Sequence, residues 1–91
     1  MVKFKLEIYK ALTDSQTQVV LFEERTQQDA KERMYDVFLE AAAKLENDEY
    51  TAVLFRQKYN TEDWEEVNGA PMIACVVKDG KAILTVDRIG E

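Results

Sequence analysis

Asp79-Gly80, set between two apolar runs, is the feature that most narrows what this chain can fold into. A two-residue connection of this kind makes a turn in which both central residues take positive φ, and Asp-Gly is one of the few pairs that does so readily. The flanking segments, 72–78 and 81–88, are then antiparallel neighbours in a fixed register. Counting outward from the turn, Lys78 faces Lys81, Val77 faces Ala82, Val76 faces Ile83, and Cys75 faces Leu84. Ala74 then faces Thr85, and Ile73 faces Val86. Facing residues share one side of a sheet. One side therefore carries Ile73, Cys75, Val77, Ala82, Leu84 and Val86; it is wholly apolar and is the expected core face. The other carries Met72, Ala74, Val76 and Ile83 in its middle, with Lys78, Lys81 and Asp87 at its ends.

The same alternation opens the chain. Val2, Phe4, Leu6 and Ile8 point one way, and Lys3, Lys5, Glu7 and Tyr9 the other, which predicts a half-buried strand. Thr13-Asp14-Ser15 supplies turn chemistry, and 17–24, rich in β-branched residues, predicts a second strand paired antiparallel to the first. Thr26 is a good helix N-cap with Asp29 three residues on. Ala30, Met34, Val37, Phe38, Ala41 and Leu45 recur at helical spacing on one face, which predicts a helix to about Glu46, with Asn47-Asp48 closing it. Segments 50–59 and 64–67 read as a third strand and a short extra one, separated by Asn60-Thr61-Glu62-Asp63. The expected fold is α+β: residues 1–91 form one domain, with a single antiparallel sheet of about four to five strands in the order ββαββ or ββαβββ. One long helix packs on one face.

Composition limits function. Eighteen acidic and twelve basic residues leave a net charge of −6 over 91 residues. That balance disfavours direct binding to nucleic acid or to an anionic membrane surface. No apolar run is long enough for a membrane span, and the alternating N-terminus does not resemble an export signal, so a cytoplasmic location is expected. With no histidine, one cysteine and three scattered glycines, the chain offers no histidine base, no Ser-His or Cys-His pair, no intrachain thiolate or histidine zinc site, and no phosphate-cradling loop. No catalytic residue, metal or cofactor is expected. Cys75, in an apolar strand, reads as a small buried hydrophobe.

Two features point to a partner. The segment Glu62-Asp63-Trp64-Glu65-Glu66 sets four carboxylates around the only tryptophan. It is either a recognition loop anchored by Trp64, or a polar loop whose ring packs back onto the sheet. The second feature is the Met72/Val76/Ile83 face. A single helix covers one face of a sheet, so this face is either an interface, with a homodimer one expected form, or is covered by the 61–71 segment. The function these features suggest is a non-enzymatic protein-interaction module. Its sharper version is a phage or mobile-element inhibitor whose carboxylates stand in for phosphates in the basic groove of a nucleic-acid-binding protein. The alternative is a small-ligand binder or simple carboxylate-dependent enzyme domain assembled at a homodimer cleft, using acids with Tyr9, Tyr35, Tyr50 or Tyr59.

Overall fold

In a computed structural model, residues 1–89 are described, with side chains throughout except at Pro71 and 85–89. The elements run β1 (Val2–Lys10), β2 (Gln16–Glu24), α1 (Gln27–Ala42), β3 (Asp48–Gln57), β4 (Trp64–Glu66), β5 (Pro71–Lys78) and β6 (Lys81–Ile89). The strands form one antiparallel sheet in the order β2-β1-β3-β5-β6. β3 is central: β1 lies along one edge, while its other edge is shared by β5, through Asp48–Ala52, and β4, through Phe55–Gln57. This is the α+β layout that alternation and helix periodicity predict, with α1 on one face.

The core lies between α1 and that face. Phe4, Leu6 and Ile8 of β1, Ala52 and Leu54 of β3, and Ile73, Cys75 and Val77 of β5 are all buried. They meet Ala30, Met34, Val37, Phe38 and Ala41 of the helix, the face its spacing marks out. The Phe4 and Phe22 rings stack at 5.8 Å across β1 and β2. Thr26 caps the helix as expected: its side chain accepts from the Asp29 amide at 3.1 Å, satisfying one of the donors a helix start leaves unpaired. Both residues of the Asp79-Gly80 turn take positive φ, 54° and 78°.

Four expectations need correction. The helix stops at Ala42, four residues short of Glu46; the amides of Lys44 and Leu45 bond back to Ala41 and Ala42 in a tightened final turn. Asn47 does not supply a left-handed cap. Its side chain bridges instead to the β5–β6 turn, accepting from the Asp79 amide at 2.8 Å, and the chain enters β3 at once. The register of the last hairpin holds from Lys78/Lys81 to Cys75/Leu84 and then slips. Ala74 pairs with Val86 and Ile73 with Asp87, leaving Thr85 as the extra residue of a bulge. Leu84, assigned to the core, is 44% exposed because it stands on edge strand β6. The side chain of Val86 lies outside the described residues.

Candidate functional site

The face opposite α1 has no layer over it among the described residues. Register places Val19 and Leu21 of β2, Val53 and Phe55 of β3, Met72, Ala74 and Val76 of β5, and Ile83 of β6 on this side. Leu21 is 68% exposed, Ile83 59% and Met72 45%. A position that alternates with a buried one and is still apolar is costly to leave in water; each such side chain forfeits on the order of 1–2 kcal/mol of burial. The Met72, Val76 and Ile83 side chains thus share the open face, and the 61–71 segment does not lie over Ile83.

Trp64 is half-buried on the same face, paired through its backbone with Gln57. The Lys5 ammonium sits 4.8 Å from the Trp64 ring centroid and 5.3 Å from that of Phe55, close enough for cation–π attraction. Lys5 also pairs with Glu7 at 2.7 Å, and Glu7 accepts from the Tyr9 hydroxyl. Trp64, Lys5, Glu7 and Tyr9 therefore form one chain of contacts across β4 and β1. A shallow groove of about 350 Å³ separates Trp64 from Leu21, with Lys3, Glu23 and Gln57 on its walls.

The 61–66 acids are not brought together. Glu62 and Asp63 are exposed in the turn before β4. Glu65 points to the helix side and pairs with Arg56, whereas Glu66 points to the open face. The other acidic groups are likewise interleaved with cations: Glu24 pairs with Arg33 at 2.7 Å, and Lys10 lies 4.0 Å from Glu46 and 3.9 Å from Asp48.

The open face carries little net charge. Among its described side chains Lys3, Lys5, Lys78 and Lys81 offset Glu7, Glu23, Glu49 and Glu66, and the strand register sets Arg88 on the same side, opposite Met72. The acidic surplus of the chain therefore lies off this face.

Hydrogen bonding from Lys5 and Tyr9 outweighs the burial that would raise the Glu7 carboxyl, and holds it below the usual carboxylate range. The hydrogen bond to Glu7, with burial added, pushes the Tyr9 phenol up to about 12 from 10.0. A folded value above the unfolded one means a stabilising contribution that is complete below about pH 10 and is lost as pH rises toward 12. Tyr9→Phe is expected to remove that component. Unfolding followed on both sides of this window checks it, and an unchanged pH dependence in Tyr9→Phe would discount the Glu7 contact.

The tyrosines do not line one cleft. Tyr9 lies on the open face. Tyr50 is buried in the core, donating to the Glu46 carbonyl at 2.7 Å, and Tyr59 is 90% exposed in the β3–β4 turn. A wider cleft, about 650 Å³, lies beside that turn and is lined by Lys3, Arg56, Lys58, Tyr59 and Glu62 among others, with one carboxylate. Among the described residues no group of three or more acids or cysteines is placed to hold a metal ion, and no helix is long and apolar enough to cross a membrane.

Sequence reasoning expects this face to extend through Tyr9 or the 50–59 strand, where Tyr9, Val53 and Phe55 do lie on it, but it missed Leu21. The alternation of β2 and β3 carries that signal once the core side of each strand is fixed. It also missed Val67, which follows β4 and is buried. Comparison with protein-family models, with curated proteins and with solved structures finds no match to this chain.

Proposed function

We propose that this protein is a small, non-enzymatic, cytoplasmic interaction module that engages a protein partner through the open face of its sheet. The observation that carries the reading is the set of exposed apolar side chains, Leu21 on β2, Met72 on β5 and Ile83 on β6, on a face that no element covers among the described residues. Large apolar side chains left uncovered on one face and interspersed with charge support reading that face as an interaction surface. Lys5, Glu7 and Trp64 would supply a polar centre whose charges are already paired, so that covering them leaves no lone ion behind.

The phosphate-mimic version of the reading has fewer acids to work with than the sequence suggests. Glu62, Asp63 and Glu66 remain available in the 61–66 segment, while Glu65 is held by Arg56. The two versions separate by salt. Contact through the apolar face persists at high ionic strength, whereas a charge-led contact weakens steeply.

Retention of proteins on the immobilised chain, compared with a Leu21→Glu/Ile83→Glu variant at low and high salt, tests the proposal. Species held by the wild type at both salts and released by the variant are expected. Identical retention by the two forms would remove the face from consideration.

A further inference from the structure

We infer that the occupant of the open face is a second copy of this chain, packed face to face about a two-fold axis with both α1 helices outward. This rests on the reading of that face as an interaction surface and names its partner.

Charge carries the first part of the argument. A partner with a basic groove selects an anionic surface, and nucleic acid selects a cationic one. The open face is neither: the four lysines and four glutamates among its described side chains cancel, the register adds only Arg88 to that side, and Lys5 and Glu7 neutralise each other at 2.7 Å. The acidic surplus lies on the remaining surface. Two copies of a −6 chain repel over most of their surfaces, and this face is where they meet with the least net charge opposed. A two-fold interface sets one patch against itself, which a single-sign surface resists and a mixed-sign surface permits.

Area carries the second part. Five strands about 4.8 Å apart, each about nine residues long at about 3.3 Å per residue, span roughly 24 × 30 Å, or about 700 Å². A stable standard-size interface takes about 800 Å² from each partner. The face is thus about as large as a dimer needs. Two twisted sheets packed in this way are a common layer arrangement, with their strands inclined at about 30° and their inner faces about 10 Å apart. The result would be a four-layer particle of helix, sheet, sheet and helix in which Leu21, Ile83 and Met72 are no longer in water.

Sedimentation of the purified full chain over a wide concentration range reads this directly. The expected species has twice the 10.5 kDa chain mass, with little dependence on salt. Leu21→Glu and Ile83→Glu, made singly and together, are expected to raise the dissociation constant at least about a hundredfold, since each puts an unpaired carboxylate into the interface on both copies. Both side chains are solvent-exposed in the single chain, so the monomer keeps its fold, which circular dichroism verifies. Leu39→Glu, at an exposed leucine on α1, is expected to leave the dimer intact. A wild-type chain that stays monomeric at every concentration overturns the inference. So does a dimer that survives the double substitution. A monomer that still retains a foreign protein, released by the same double variant, would leave the interaction reading standing while refuting the second copy.

Discussion

Replacing Phe38 with alanine should lower the unfolding free energy by about 3–5 kcal/mol, the largest loss available from one side chain of the helix. Phe38 is fully buried between α1 and the sheet, in the cluster that also holds Leu6, Met34 and Leu54. Its removal forfeits the transfer of an aromatic ring and leaves a cavity that the surrounding strands, held together in one hydrogen-bonded sheet, can close only in part. A chain of this length has a total stability of about 5–14 kcal/mol, at about 0.05–0.15 kcal/mol per residue, so the variant sits near the edge of folding. Urea unfolding should show the midpoint falling by about 2–5 M, for a slope of about 1–1.5 kcal/mol/M. Leu39→Ala is the internal contrast. Leu39 is the next residue along the helix but half-exposed, and its loss should cost about 0.5 kcal/mol or less. Similar midpoints for the two variants would mean that α1 does not dock by the Ala30/Met34/Phe38 face, and that the wrong side of the sheet has been called open.

What the chain discloses without coordinates is chiefly local. The positive φ values at Asp79 and Gly80, the Thr26 cap and the alternation of β1 each depend on a few neighbouring residues, and each is readable. The departures arise where distant segments compete. Lys44-Leu45-Glu46 continues a good helical pattern, yet the helix ends before it. Asn47 is tied to the Asp79 amide, and β3 must start at Asp48 to lie beside Val77. The bulge opposite Ala74 is a property of two paired strands, and no periodicity within either one announces it. The candidate site divides in the same way. Met72, Val76 and Ile83 follow from the hairpin register alone. An extension onto the 50–59 strand is also legible, but its reach to Leu21 appears only when the strand order sets β2 beside β1 and β1 beside β3, and the low net charge of the face appears with it. The 61–66 acids look like one cluster in sequence, but a three-residue strand sends Glu65 and Glu66 to opposite sides. Adjacent residues on a strand rarely act together.

Cys75 should be nearly inert in the native protein, and its reactivity should report how the whole sheet opens. The thiol is 2% exposed, beneath α1 on β5, a strand paired on both sides. Burial pushes it up to about 11 from 9.0, against a smaller opposing effect of a backbone hydrogen bond involving Tyr50. Only the thiolate attacks a disulfide reagent, and a rise of about two pH units leaves about a hundredfold less of it below pH 9. Exclusion of the reagent from the core multiplies that factor. Labelling at pH 8 with an aromatic disulfide should therefore be at least about a hundredfold slower in the folded chain than in urea, and should proceed through transient opening. If opening is global, the rate follows stability. Phe38→Ala should then speed labelling by about two to four orders of magnitude, since about 1.4 kcal/mol corresponds to tenfold, while Leu39→Ala should leave it nearly unchanged. Rapid labelling of the wild type would place the β5–β6 hairpin outside the cooperative core. The open face would then be split along the line between β3 and β5, with Leu21 on a stable half and Ile83 on a labile one. Slow labelling that Phe38→Ala accelerates would instead tie the hairpin to the helix-packed core, so that Leu21 and Ile83 are presented on one rigid surface.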